Sequence, residues 1–80
     1  MTDTPDEVDQ LRQLLVDEVS AVLLLSTVSD DANFIDLGAT SLSLLTLHAR
    51  IKRKIGTDFP FRFLFTYPTV RSLADQLHER

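Results

Sequence analysis

The sequence predicts an all-α domain, a four-helix bundle with a short third helix and a long loop between helices one and two. Three observations carry this. Apolar residues recur at helical spacing in three separate stretches, each bounded by capping or stop residues. The one run with strand-like alternation, Phe59 to Tyr67, has no second strand to pair with, and a lone strand is not stable. Eighty residues, 44% of them hydrophobic and 25% charged, suit one small globular domain, delimited here as residues 1–80. A chain of this size fills a modest core and has no room for a deep active site as well.

Helix one starts at Thr4-Pro5-Asp6-Glu7. Thr4 can cap, Pro5 suits the first helical position, and Glu7 completes a capping box. Val8, Leu11, Leu15, Val19 and Val22, with Leu14 beside them, make an apolar stripe. Asp9, Arg12, Gln13, Asp17 and Ser20 make the polar face. The spacing predicts a helix from about Pro5 to about Leu25.

Residues 26–40 have no sustained period, and Ser29, Asp30, Asp31 and Asn33 are turn formers. A loop of this length in a small domain is functional or disordered. Phe34, Ile35 and Leu37 argue for order, and packing against the core is the expected role of all three. Gly38 can take the positive φ of a sharp turn before the next helix.

Helix two is predicted from Ser41 to Ile55, with Gly56 as its stop. Thr40 or Ser41 can serve as the N-cap. Ser41 falls in the first turn either way, where backbone N–H groups are unpaired and the dipole is positive. A phosphate ester on its Oγ would sit in an anion-friendly place. Steps of 100° per residue separate two apolar stripes. Leu44, Leu47, Ile51 and Ile55 face the core, with His48 at the edge. Leu42, Leu45, Thr46 and Ala49 lie roughly opposite, either covered by another helix of the bundle or exposed as a docking surface beside Ser41. Arg50, Lys52, Arg53 and Lys54 point in different directions and read as a solvated face. Arg53, nearest the second stripe, is a candidate for electrostatic guidance of partners.

Thr57-Asp58-Phe59-Pro60 breaks the chain, and a short third helix is placed around Phe61 to Phe65. Its aromatics are expected to fill the core; a base-stacking platform is the less favoured reading. Thr69 can cap the last helix, whose buried stripe is Val70, Leu73, Ala74 and Leu77.

Several functions are disfavoured. Ser41 and His48 lie seven residues apart on one helix, too far for a nucleophile and its base. The chain also lacks the Gly-x-Ser-x-Gly elbow of a serine hydrolase. His48 and His78, the two histidines, sit on different helices without zinc-like spacing, and there is no cysteine. The net charge of −4 disfavours nucleic acid, and no apolar run is long enough for a membrane span. Residues 1–40 carry nine acidic side chains against Arg12, whereas residues 41–80 carry seven basic against three acidic.

The segment Asp36-Leu37-Gly38-Ala39-Thr40-Ser41-Leu42 resembles the Asp/Glu-Leu-Gly-x-x-Ser-Leu signature of acyl and peptidyl carrier proteins. Leu64-Phe65-Thr66-Tyr67-Pro68-Thr69-Val70 is similar to the Leu-Phe-x-x-Pro-Thr-Val closing motif of peptidyl and modular polyketide carriers. The resemblance implies an acyl-carrier-type bundle in which Ser41 bears 4'-phosphopantetheine taken from coenzyme A. It implies that Leu42, Leu45 and Ala49, with Thr46 on the same stripe, contact partner enzymes. Those partners would be a phosphopantetheinyl transferase, an adenylation or acyltransferase loading enzyme, and downstream synthase, condensation or tailoring enzymes. The chain itself would be a non-catalytic, cytoplasmic monomer. Thr40 stands where fatty-acid-type carriers have Asp, and helix two is basic, which points away from primary fatty acid synthesis. Gly38-Ala39-Thr40 also departs from the Gly-Gly-His/Asp of peptidyl carriers. The expected setting is nonribosomal peptide or polyketide biosynthesis. Met1 just before helix one and Arg80 just after helix four fit a free-standing carrier, although a trimmed megasynthase domain would read the same. The rival from another class is a helical adaptor that docks a partner through Leu42 and Leu45, with Ser41 only a cap.

Overall fold

The computed structural model describes residues 4–79, with side chains from Glu7 onward. Four helices follow in order: α1 (Thr4–Leu23), α2 (Ser41–Ile55), α3 (Phe63–Thr66) and α4 (Val70–His78). The helix starts at Thr4 itself; the capping interaction expected there lies outside the described side chains.

α1 ends two residues earlier than its apolar pattern suggests. Leu24 turns left-handed at φ 59°, and Leu25 N–H bonds back to Ser20 O at 3.0 Å. This is the six-to-one closure that ends many helices, made here with leucine where glycine is usual. Leu24 is 89% exposed, so no packing holds it there.

α1 packs on both α2 and α4. Leu15 and Val19 of α1 meet Leu44, Leu47 and Ile51 of α2 and Val70, Leu73, Ala74 and Leu77 of α4 in one buried cluster. Phe59, Phe63 and Leu64 close it from the third side. Burying each such aliphatic or aromatic side chain contributes roughly 1.5–3 kcal/mol before entropy is charged against it.

α3 begins two residues later than expected, because Phe61 and Arg62 form the preceding turn. The alternating aromatics resolve into two i,i+4 sets. Phe59, Phe63 and Tyr67 stack successively, with ring centroids 6.0 and 5.3 Å apart. Phe61 and Phe65 form the other set at 5.3 Å. The first set turns inward. Phe65 is 51% exposed, which corrects the expectation that all these rings serve the core.

The long loop is ordered around Phe34, which is fully buried. Its N–H donates to Pro68 O at 2.8 Å and its carbonyl accepts from Ala39 N–H at 3.1 Å. One residue thereby ties the start of α4 to the approach to α2. Asn33 Oδ1 accepts from Ile35 N–H at 2.8 Å and shapes the turn. Ile35 itself is 53% exposed, so its expected packing role fails; the turn that buries Phe34 points its neighbour outward. Asp31 and Arg71 clip the loop further, through a 2.6 Å bond from Arg71 Nε and one from Arg71 N–H to Asp30 O.

Glu18 is the buried charged residue of the cluster edge. Arg50 Nε donates to Glu18 Oε1 at 2.6 Å, and Lys54 Nζ lies 3.8 Å from Oε2. Arg50 and Lys54 therefore clamp α2 to α1, which corrects their reading as a solvated face.

Candidate functional site

Gly38 sits at φ 100°, open on the side where a Cβ would project, and turns the chain into α2. Ala39 is buried and anchors that turn. Thr40 is the N-cap: its Oγ1 accepts from Ser43 N–H at 3.2 Å and exchanges a 3.1 Å bond with Ser43 Oγ. Of the two capping residues left open by the sequence, Thr40 takes the role. Ser41 becomes the first residue of a 15-residue helix. It is exposed, and no described residue bonds its hydroxyl.

The residues around Ser41 fit a phosphoryl linkage. The first-turn N–H groups and the positive end of the helix dipole lie at the root of the side chain. No described acidic side chain is paired into that turn, and the glycine leaves the approach open.

His48 does not serve Ser41. Its Nε2–H donates to Phe59 O at 2.6 Å, and its ring packs edge-on to Phe59 and Phe61 at 4.7 and 5.5 Å. Among the described residues no cluster of His, Asp or Glu could hold a metal ion.

The second apolar stripe of α2 is uncovered. Leu42 is 73% and Leu45 52% exposed, and Thr46 and Ala49 are exposed beside them. Among the described residues no other helix covers them. Phe65 and Ile35 are exposed as well, which the sequence reading did not expect. For Phe65 a signal existed in its i,i+4 spacing from Phe61, which sets both apart from the inward set of Phe59, Phe63 and Tyr67; for Ile35 there was none.

A shallow groove of about 360 Å³ opens between α1 and the far end of α2, lined by Gln10, Gln13, Leu14, Asp17, Glu18 and Lys54. Lys54 is 13 residues from Ser41, or about 20 Å along the helix, so this groove is not beside the serine. None of the described helices is long and apolar enough to cross a membrane.

The family model for the phosphopantetheine attachment site matches residues 13–77, and the chain belongs to that family. Its members hold 4'-phosphopantetheine and are not themselves catalytic. The chain is 39% identical over 74 residues to a probable non-canonical nonribosomal peptide synthetase, CymA, of Salinispora arenicola, covering 92% of this chain and 1% of that protein. It is 34% identical over 74 residues to non-reducing polyketide synthase 1 of Elsinoe fawcettii, again 92% of this chain and 3% of that protein. The chain thus spans a very small part of the length of these curated relatives. The peptidyl carrier protein solved with the phosphopantetheine transferase Sfp and coenzyme A superposes with a TM-score of 0.82 at 26% identity, covering 88% of this chain and 91% of that one.

Proposed function

We propose that this domain carries acyl or aminoacyl units as thioesters on a 4'-phosphopantetheine attached to Ser41, and passes them between enzymes of nonribosomal peptide or polyketide biosynthesis. The observation that carries the reading is the free Ser41 hydroxyl at the head of α2, released from capping by Thr40. A transferase would supply the base and metal that Ser41 lacks. Coenzyme A then gives its phosphopantetheinyl group to Ser41 Oγ, adenosine 3',5'-bisphosphate leaves, and the hydroxyl proton passes to the transferase. When attached, the group supplies the thiol that this cysteine-free chain does not have.

The chain's own residues hold and present the linkage. Thr40 fixes the first turn, Gly38 and Ala39 set its entry, and Leu42, Leu45, Thr46 and Ala49 form the apolar face on which partner enzymes dock. A stripe this small suits brief contacts with the transferase, an adenylation or acyltransferase loading enzyme, and condensation, synthase or tailoring enzymes downstream. Tethering raises the cargo's effective concentration at each of them. The domain acts as a monomer in the cytoplasm. Similarity to both a peptide synthetase and a polyketide synthase supports the assembly-line setting and leaves both chemistries within the reading.

The test is intact mass after incubation with coenzyme A, Mg²⁺ and a broad-specificity phosphopantetheinyl transferase. Wild type is expected to gain one phosphopantetheinyl group, and folded Ser41→Ala none. A folded wild type that stays unmodified, or a mutant that is modified elsewhere, would overturn the assignment. The first result would leave the adaptor reading, in which Leu42 and Leu45 bind a partner without any cargo.

A further inference from the structure

Helix α2 carries four cations and no carboxylate. Three of the four are committed within the domain. Arg50 and Lys54 meet Glu18, and Lys52 Nζ lies 3.4 Å from Asp58. Arg53 is exposed and has no acidic partner among the described residues. Its place on the helix is informative. Leu42, Thr46, Ala49 and Arg53 follow one another at intervals of four, three and four, so Arg53 continues the exposed stripe. It lies twelve residues beyond Ser41, or about 18 Å along the axis. At the Ser41 end the exposed charge is of opposite sign, from Asp36. The stripe is therefore an apolar strip with an uncompensated cation at its far end.

We infer that the enzymes docking on this stripe to load Ser41's tethered thiol present an apolar socket for Leu42 and Leu45 and an Asp or Glu that meets Arg53. This acidic side chain lies about 18 Å from the point where the tethered arm enters the enzyme. The inference rests on the carrier reading and deepens it by specifying the partner surface. An apolar strip alone fixes no direction along the helix, whereas a charge at one end does. Pairing at the rim acts chiefly on encounter and orientation. A reversed carrier would leave Arg53 without a partner. Arg53 also favours the helix dipole at the C-terminal end, but Lys52 and Lys54 already stand in that turn.

The test uses an adenylation enzyme chosen because it forms an aminoacyl thioester on the wild-type holo protein. Holo forms of wild type, Arg53→Lys, Arg53→Gln and Arg53→Glu are confirmed by intact mass and by circular dichroism before use. At low salt, Arg53→Glu is expected to lose tenfold or more in kcat/KM for loading, mainly through a higher KM. Arg53→Gln should lose less, and Arg53→Lys should stay within about twofold of wild type. Raising the salt should close the gap between wild type and Arg53→Glu. Changing the enzyme's acidic residue at the stated distance to Lys should restore loading of Arg53→Glu. Equal loading of wild type and folded Arg53→Glu at low salt would overturn the inference, as would a loss that no such reversal recovers. Failure of wild type to accept phosphopantetheine at all would instead overturn the carrier reading beneath it.

Discussion

Leu24 shows how much one residue's backbone matters in this chain. The stop of α1 needs a left-handed residue, and leucine pays a steric cost there of roughly 1–2 kcal/mol that glycine avoids. Glycine is also more flexible in the unfolded chain, which takes back part of the gain. Because Leu24 is almost wholly exposed, no packing is lost on replacement. Leu24→Gly is expected to stabilise the domain by about 0.5–1 kcal/mol, and thermal unfolding should show a rise of a few degrees. An unchanged or lower midpoint would contradict this account. The same residue explains why the end of α1 was misplaced from sequence. Apolar residues continue through Leu25 and no glycine marks the stop, so the pattern ran on past the true end. The stop of α2 was legible because Gly56 supplies the usual signal, and the structure places it at φ 70° with its N–H on Lys52 O. The start of α2 at Ser41 was legible in the sequence, but whether Thr40 or Ser41 caps depends on where two side chains point. The hydrogen bond from Ser43 N–H to Thr40 decides it.

At the scale of elements, the contact between α1 and α2 joins an apolar seam to a polar clamp. Glu18 follows Leu11 by seven residues and Leu14 by four, so its spacing puts it on the apolar side of α1. That signal was present in the sequence; what could not be read was its partner, since Arg50 is 32 residues away. The clamp is asymmetric. The Glu18 side chain is 7% exposed and that of Arg50 42%. Removing Arg50 therefore leaves a buried carboxylate with only the more distant Lys54, whereas removing Glu18 releases two cations that can turn to water. Arg50→Ala is expected to cost about 2 kcal/mol, and Glu18→Leu to fall within about 1 kcal/mol of wild type or above it. Urea unfolding of the two variants would check the order. If Glu18→Leu proves the more damaging change, the clamp holds α1 and α2 in a way that burial alone does not explain. The third helix teaches a related lesson. Its aromatics alternate like a strand, yet i,i+4 stacking of Phe59, Phe63 and Tyr67 satisfies the same spacing in helical and turn backbone. Period two and period four coincide over so short a run; the absence of a pairing strand, the break in alternation at Leu64 and the family resemblance separated them.

Across the whole molecule, the split between an acidic first half and a basic second half becomes a set of long-range clamps. Among the described residues, Glu18 with Arg50 and Lys54, and Asp31 with Arg71, each join an acid of the first forty residues to a base of the last forty. The composition showed the asymmetry, but not that much of it is spent inside the fold. The Asp31–Arg71 pair matters most for the site, because it holds the loop that leads through Phe34 to Gly38 and Ser41. The hydrogen bond from Arg71 lowers the Asp31 pKa below its ordinary 3.8; desolvation opposes it in part, and the charges of Arg71 and Arg12 add smaller falls. A carboxylate whose pKa is depressed in the folded state contributes stability that is full well above 3.8. That contribution fades as pH falls through 3.8 toward the lower folded value. Both side chains face solvent, so salt screens the pair and its effect should be local rather than global. Wild type and Asp31→Asn are therefore expected to differ in amide exchange of Phe34 and Ala39 at pH 6, with faster exchange in the variant. The difference should shrink as pH is taken below 3.8, once exchange is corrected for its intrinsic pH dependence. A protection difference that persists unchanged at pH 2.5 would mean that Asp31 orders the loop by some means other than its charge.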